Sequence, residues 1–345
     1  MRKYLFPLIA ALLTAAATAS FAVADDDNGR DDDRDRSYAV GVWGDVPYSD
    51  VQKTQGVPNL IRDMGRNRLK FSVHVGDIKS GGSRCDNNVY AEAETYFDAL
   101  VAPAMYTPGD NEWTDCDRPS AGGYSSRERL DYIRTTMFDT SQSFGQRRIR
   151  LEVQAPPYVE NRRWQIGGVV YATLHVVGSD NNLGDVAPDP EEWKLRDAAT
   201  NAWMRETFAK AASNRAKAVM LFIQANPGFD ETDGTRGPLR NPQTLLPEDG
   251  FYNFLTQLRS EVIRFDRPVA LVHGDSHYFR VDKPLLDRDG HRIQHFTRLE
   301  TPGNNAQSES NDVQWVKIIV DTRDAEVLTF EQEVVEANRR PQYTP

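Results

Sequence analysis

Two motifs that identify familiar enzyme classes are missing from this sequence. There is no Gly-x-Ser-x-Gly segment, the sharp turn that presents the nucleophilic serine of many hydrolases. There is also no phosphate-binding loop ending in Gly-Lys-Ser or Gly-Lys-Thr. The sequence therefore gives no support to a Ser/His/Asp hydrolase or to a nucleotide-binding protein of the phosphate-loop type.

The chain also lacks a surplus of basic residues. Its 41 Lys and Arg residues face 51 Asp and Glu residues, so the formal net charge of the 345-residue chain is -10. A protein with no basic surplus cannot gain affinity for nucleic acid by releasing counterions from phosphates, so we expect no nucleic-acid binding. The acidic field would also repel an anionic substrate, unless a metal ion or local arginines offset it.

Only the N-terminus carries a long apolar run, from residue 5 to residue 17. Arg2 and Lys3 precede the run and Ala22-Val23-Ala24 follows it, a pattern typical of a signal peptide over residues 1–24, with a membrane anchor as the alternative. Removing those two charges changes the net charge from -10 to -12. We expect a secreted or periplasmic protein, with no membrane segment after cleavage and an acidic, disordered linker over residues 25–37.

Cysteine is scarce as well, since the chain contains only Cys85 and Cys116. In an oxidising compartment two cysteines suggest one disulfide, and two separate buried thiols are the alternative. Each cysteine lies a few residues beyond a Gly-Asp pair. A disulfide would therefore tie together two of the loops considered next.

The remainder, residues 38–345, predicts one α/β domain in which strands are followed by Gly-Asp and then by a helix. Strands are predicted over 39–43, 70–75, 104–107, 148–153, 169–177, 218–223 and 268–272, with two more between 313 and 330. Helices are predicted over 55–66, 88–101, 127–137, 191–212 and 251–265. Parallel strands in such a fold place their functional loops together at their C-terminal ends.

Polar side chains stand at four of these strand ends: Asp45, Asp77, Asp110-Asn111-Glu112, and Asp275 with His277. Carboxylates and a histidine that converge from separate strands can bind one or two hard divalent cations. The ordinary alternative for an Asp after Gly is a helix cap or a turn residue. The repetition of the pattern in strand-terminal order favours the metal site.

The order of these motifs resembles that of the calcineurin-like metallophosphoesterases, which include the purple acid phosphatases. The resemblance is strongest in Val73-His74-Val75-Gly76-Asp77, Thr107-Pro108-Gly109-Asp110-Asn111-Glu112 and Val272-His273-Gly274-Asp275-Ser276-His277. It implies a β-sandwich flanked by helices in four layers, α/β/β/α. It also implies hydrolysis of a small or polymeric phosphate ester by a hydroxide held on one or two divalent metal ions.

Several of that family's histidines are replaced in this chain. Pro47 stands where the family has a metal-binding histidine, Asp110 replaces a metal-binding asparagine, and Asn111 replaces the histidine that contacts the phosphate. The His-x-Pro segment reads Gln224-Ala225-Asn226-Pro227, and Asp275 replaces the first histidine of Gly-His-x-His. Oxygen ligands in place of imidazoles favour Mg, Mn or Ca over Zn or Fe, although the sequence leaves the identity open among these five.

From the resemblance we expect five metal ligands: Asp45, Asp77, Asp110, Asp275 and His277. Asn111, with Asp77, is the expected catalytic residue and would orient the phosphate. Residues expected to line the pocket are Tyr48, Glu112, Gln224, Asn226 and His273, whereas His74, His175, His291 and His295 are expected to be structural or surface residues. Two alternatives stay open: a non-catalytic or weakly active protein that binds a ligand in the same cleft, and a calcium site that serves stability only.

Overall fold

The structure is a computed structural model that describes residues 37–229, 247–304 and 313–339. The predicted signal peptide and nearly all of the predicted acidic linker lie outside the described residues. Within the described ranges, no helix combines the length and the apolar composition that a membrane span requires.

The described chain forms two sheets. The first has five strands in the order β12-β11-β1-β2-β3: β1 (Ser37–Trp43), β2 (Phe71–His74), β3 (Ala104–Tyr106), β11 (Trp315–Asp321) and β12 (Leu328–Glu333). Strands β1, β2 and β3 are parallel, with Val42 opposite Val73 and Val73 opposite Met105. β11 is antiparallel to both β1 and β12.

The second sheet has seven strands in the order β4-β5-β6-β7-β8-β10-β9. They are β4 (Glu152–Val153), β5 (Arg162–Ile166), β6 (Val169–Thr173), β7 (Ala218–Phe222), β8 (Val269–His273), β9 (Arg280–Asp282) and β10 (Phe296–Glu300). β6, β7, β8 and β10 run parallel to one another. The sequences of β6, β7 and β8 are mostly apolar and every residue in them is buried, as suits strands covered on both faces.

Helices cover the outer face of each sheet. Beside the first sheet lie α1 (Val57–Arg66), α2 (Asn87–Ala99) and α3 (Ser126–Thr136), and beside the second lie α4 (Pro190–Ser213) and α5 (Tyr252–Phe265). A π-helical turn (Gln52–Gly56) precedes α1, and short 3-10 turns occupy Thr114–Asp117, Pro119–Ala121 and Glu336–Asn338. Side-chain caps begin two helices: Ser125 accepts from the Glu128 amide before α3, and Asp189 accepts from the Glu192 amide before α4.

The inner faces of the two sheets pack against each other and form the central core. That core joins first-sheet and second-sheet side chains, among them Val40, Val42, Phe71, Val73, Ile318, Tyr171, Met220, Phe222, Ala270 and Val272. The layers are therefore helix, sheet, sheet, helix, and the expected four-layer α/β sandwich is confirmed.

Three expectations about individual elements need correction. Only residues 152 and 153 of the strand predicted over 148–153 pair as a strand, and strands β5, β9 and β10 were not predicted. The helix predicted from residue 55 begins as the π-helical turn. The helix predicted over 191–212 suggests an apolar stripe through Trp193, Leu195, Ala198, Ala202, Phe208 and Ala211, and this is wrong in its first half, because Leu195 is 58% exposed while Arg196 is fully buried.

Candidate metal centre

The loops that follow β1, β2, β3, β7 and β8 meet at one end of the sandwich. The Asp45 amide donates to the Gly76 carbonyl at 3.0 Å, which joins the loops after β1 and β2. The Asp275 amide donates to Asp45 Oδ1 at 2.9 Å, which joins the two sheets. These contacts bring Asp45, Asp77 and Asp275 to the same end of the fold, as the strand order predicts.

A left-handed backbone lets the side chains turn inward from these loops. The φ angles of Asp45, Asp77, Asp275 and His277 are 54°, 61°, 75° and 68°. Aspartate is among the few residues besides glycine that adopt this region readily. Gly274 supplies the necessary space, because a Cβ at that position would overlap a carboxylate oxygen of Asp45.

Asp77 lies at the middle of the site and is 3% exposed. Its Oδ2 accepts hydrogen bonds from the Tyr48 hydroxyl and from Gln224 Nε2, each at 3.1 Å. Its Oδ1 accepts from the Asn111 amide at 3.3 Å. Three protein donors therefore already hold this carboxylate in place.

The loop after β3 supplies three consecutive polar residues with different surroundings. Asp110 Oδ2 accepts from the Ser179 hydroxyl at 3.0 Å. Asn111 Nδ2 donates to the Tyr48 hydroxyl and to the Lys79 carbonyl, each at 3.0 Å. The structure thus places the Asn111 side chain beside Tyr48, while the Asn111 backbone amide contacts Asp77.

Glu112 differs from the expected pocket residue, because it is fully buried. Its Oε1 accepts from the amides of Asp77 and Gly109, at 3.0 and 2.9 Å, and from the Tyr106 hydroxyl at 2.6 Å. Such a carboxylate fixes two loop backbones. We therefore assign it to the framework of the site and not to the wall of the pocket.

The loop after β8 contributes Asp275 and His277. Asp275 Oδ2 accepts from the Asn226 amide at 2.8 Å, so the loop after β7 also reaches the site. His277 Nε2 lies 3.6 Å from Asp45 Oδ1, and its ring stands edge-on to Tyr48 with the centroids 5.5 Å apart. His273 is fully buried, with Nδ1 2.9 Å from the Gly274 carbonyl, which makes it a backbone support of this loop.

The site concentrates negative charge out of water. Burial raises the pKa values of Asp45 and Asp77 well above the ordinary range, and their carboxylate neighbours raise them further. Burial also raises the pKa of Asp110, although the hydrogen bond from Ser179 opposes that rise. A cation bound here would remove the repulsion among these groups, which is the usual origin of strong divalent binding by carboxylates.

Two observations indicate that the ligand atoms available here suit a hard divalent cation. Asp45 Oδ2 and Asp110 Oδ1 are buried oxygens that accept no hydrogen bond from the described residues. The surrounding donors are carboxylate and amide oxygens, which suit Mg, Mn or Ca. The predicted ligands Asp45, Asp77, Asp110 and Asp275 supply these oxygens, and His277 stands at their edge.

The ligand atoms of the strand-end aspartates nevertheless do not form a compact cluster. Among the described residues, one group of three acidic or histidine side chains has its ligand atoms within 4.8 Å: Asp287, Asp289 and His291. That group sits on an exposed turn in which Asp287 Oδ1 accepts the amides of the other two, an ordinary turn arrangement. No three of the described acidic or histidine side chains at the strand ends bring their ligand atoms this close together.

The two cysteines form the predicted disulfide. Cys85 and Cys116 are bonded across 31 residues of sequence, and both are fully buried. The bond joins the loop after β2 to the loop after β3. The expectation that it ties two loops of the site is confirmed.

Three of the remaining histidines contact groups other than the predicted ligands. His74 is buried edge-on against Trp43, and His175 is buried with Nδ1 2.8 Å from Glu160. His295 Nε2 lies 3.1 Å from the Val262 carbonyl. These positions agree with structural roles.

Sequence reasoning missed two site residues, Lys79 and Ser179. Lys79 is 1% exposed, and the carboxylates nearest to it include Glu112, Asp115 and Asp77. No motif marks a lysine in that role. The sequence Ser-Asp-Asn-Asn that begins at Ser179 does indicate a left-handed turn, because Asp and Asn tolerate that backbone conformation.

No protein-family model and no curated protein matches the chain by sequence. By structure, the chain is similar to the purple acid phosphatase of yellow lupin (Lupinus luteus) seeds, with a TM-score of 0.51 and 12% identity over 88% of this chain and 52% of that one. The chain has the metallophosphoesterase fold. It spans about half the length of the lupin phosphatase.

Two further solved structures are similar to this chain at lower TM-scores. A dimetal phosphatase from Danio rerio gives a TM-score of 0.47 at 13% identity, covering 86% of this chain and 96% of that one. GAP50, the anchor in the inner membrane complex of Plasmodium, gives 0.47 at 9% identity, covering 87% and 89%. At 12% identity, the similarity to the lupin phosphatase shows the fold alone.

Proposed function

We propose that this protein hydrolyses phosphate esters with the help of one or two divalent metal ions. The observation that carries the proposal is the meeting of four buried or half-buried aspartates from separate strand ends, two of which keep a buried oxygen without a hydrogen bond. Burying several carboxylates together is costly unless a cation compensates them. The metallophosphoesterase fold supports the same reading.

The ligands in this proposal are Asp45, Asp77, Asp110, Asp275 and His277. When bound, the metal would supply Lewis acidity and a water of lowered pKa. Ca, Mg and Mn suit the oxygen-rich set better than Zn or Fe.

Tyr48 and Asn111 would hold the phosphate. The Asn111 side chain donates to the Tyr48 hydroxyl at 3.0 Å, and that hydroxyl donates to Asp77 Oδ2 at 3.1 Å. A phosphoryl oxygen would replace the acceptor in either bond. Burial raises the pKa of Tyr48 well above its usual value, so its phenol keeps the proton at neutral pH and donates a hydrogen bond. Asparagine donates a hydrogen bond as well, but it cannot protonate a leaving group.

Metal content and hydrolysis test the proposal together. We expect the purified mature protein to hold about one or two equivalents of divalent metal by elemental mass spectrometry. Asp77→Asn should lose most of that metal and the hydrolysis of p-nitrophenyl phosphate or bis(p-nitrophenyl) phosphate. Asp131→Asn, on the exposed side of α3, is the matched control and should lose neither.

The two substrates distinguish a monoesterase from a diesterase. A wild-type protein that holds no metal after incubation with Mn, Mg, Zn and Ca would refute the metal-dependent reaction. It would leave the second candidate below as the function of the cleft.

The second candidate is a protein that binds a ligand in this cleft without cleaving it. It is favoured by Asp77, whose two oxygens already accept hydrogen bonds from Tyr48, Gln224 and Asn111. Metal binding without turnover of either ester would select this candidate. Isothermal titration with inorganic phosphate would then measure the binding itself.

We further propose that the protein works outside the cytoplasm, either secreted or in the periplasm. The N-terminal pattern of residues 1–24 and the disulfide support this location. N-terminal sequencing of the protein from its native source should begin at residue 25. A first residue of Met1 would contradict the proposed cleavage.

A further inference from the structure

The turn between β6 and α4 has a left-handed backbone that the proposed reaction does not by itself require. Four consecutive residues other than glycine, Ser179 to Asn182, have φ angles of 52°, 53°, 55° and 76°. L-residues disfavour this region, and a run of four accumulates the cost at each residue. Such strain persists only where the surroundings impose it, and it is concentrated at functional sites.

Arg196 on α4 is the main clamp on this turn and is fully buried. Its guanidinium donates to the side-chain oxygen of Asn181 at 2.6 Å and to the Asn181 carbonyl at 3.0 Å. A further bond at 3.0 Å to the His175 carbonyl holds the chain before the turn. The planar guanidinium thus fixes the turn through several donors at once.

Gly250 holds the opposite side. Its amide donates to Asp180 Oδ1 and its carbonyl accepts from Asn181 Nδ2, both at 3.1 Å. A Cβ on Gly250 would overlap the Asp180 carbonyl, so the two backbones are as close as glycine permits. The strained conformation is therefore fixed from two sides.

The turn delivers two groups to the candidate metal centre. Ser179 Oγ donates to Asp110 Oδ2 at 3.0 Å, and the Gly178 amide donates to Gln224 Oε1 at 2.7 Å. Gln224 in turn donates to Asp77 through Nε2. A Cβ on Gly178 would also crowd the Asp110 carboxylate, which shows how closely the turn lies against it.

We propose that Ser179 is a positioning residue for cation binding and that the left-handed turn exists to hold it against Asp110. With Oδ2 engaged by the Ser179 hydroxyl, the carboxylate is oriented so that Oδ1 is left as the ligand atom. Hydrogen bonds to a ligating carboxylate fix its direction, and their loss commonly lowers metal affinity by roughly 10–100-fold. This inference rests on the proposed metal-dependent function.

The test is a calorimetric titration of the full chain with Mn²⁺ for the wild type, Ser179→Ala and Ser179→Gly. Alanine removes the hydroxyl and keeps the backbone strain, whereas glycine removes both. We expect both variants to raise the Kd for Mn²⁺ by about tenfold, and Ser179→Gly to have the higher melting temperature of the two. Ser213→Ala, at the exposed end of α4, is the control and should leave the Kd unchanged.

The outcomes separate this inference from the function on which it rests. If the wild type does not bind Mn²⁺, the proposed function and the role of Ser179 fall together. If the wild type binds and neither variant changes the Kd, only the role of Ser179 is overturned. A change in Ser179→Ala that Ser179→Gly restores would show that the backbone and not the hydroxyl matters, which also overturns it.

Discussion

The metal-free protein should become less stable as the pH rises from about 4 to about 8, and Asp115 shows why. This side chain is 2% exposed, and burial together with the neighbouring carboxylates of Asp110 and Asp185 raises its pKa to about 8, against the opposition of Arg118. In the unfolded chain an aspartate titrates near 3.9. Between these two values the folded state binds a proton that the unfolded state has lost.

The sign follows from that difference in protonation. A carboxyl group whose pKa is higher in the folded than in the unfolded state favours folding while it is protonated. Its contribution to the free energy of unfolding falls once the pH exceeds the unfolded-state pKa, and it is lost when the pH passes the folded-state pKa. At about 1.4 kcal/mol per pKa unit, the effect of Asp115 has an upper limit of about 6 kcal/mol. Asp45, Asp77 and Asp110 act in the same direction, since their pKa values are also raised.

The assay is urea unfolding in EDTA at pH 5 and pH 8, followed by tryptophan fluorescence. We expect a lower urea midpoint at pH 8, and a smaller difference between the two pH values for Asp115→Asn because that variant has no proton to lose. Added Mn²⁺ should raise the midpoint more at pH 8 than at pH 5, since the cation and protons compete for the same oxygens. Equal midpoints at both pH values in EDTA would refute this electrostatic account.

Two other predictions concern the loops of the site. Gly274→Ala should abolish Mn²⁺ binding, because the new Cβ would overlap the Asp45 carboxylate. A Cβ at Gly82 meets open space, so Gly82→Ala should bind Mn²⁺ as the wild type does. Calorimetry that finds equal affinities for the two variants would contradict this. Replacing Cys85 and Cys116 by serine should lower the free energy of unfolding by about 2–4 kcal/mol, because the disulfide spans 31 residues of sequence and restricts the unfolded chain. An unchanged urea midpoint for the double variant would contradict this prediction.

The loops of the site were predictable because their signals are local. A short apolar strand followed by Gly-Asp identifies the ends of β2 and β3 without knowledge of the rest of the chain. Strand β5 gives no such signal, because it contains Arg162 and Arg163. Both are buried, since their guanidinium groups bond to the Val159 carbonyl and to Glu152, partners that the sequence does not identify.

The chemistry of the site was less predictable than its position. Glu112 follows a ligand-like motif, but it turns away to bind the amides of Asp77 and Gly109. Ser179 reaches Asp110 only because a clamp from another element forces its backbone into the left-handed region. Both outcomes depend on contacts distant in sequence, which residue patterns do not encode.

The left-handed backbone of Asp45, Asp77 and Asp275 has an evolutionary consequence. Asparagine is the other common residue that accepts this conformation, and a single nucleotide change separates the codons of the two. Each position can therefore exchange a charge for a neutral amide while the loop keeps its shape. A lineage with these loops can therefore change the charge at this end of the sandwich in single mutational steps, without any need to rebuild the fold.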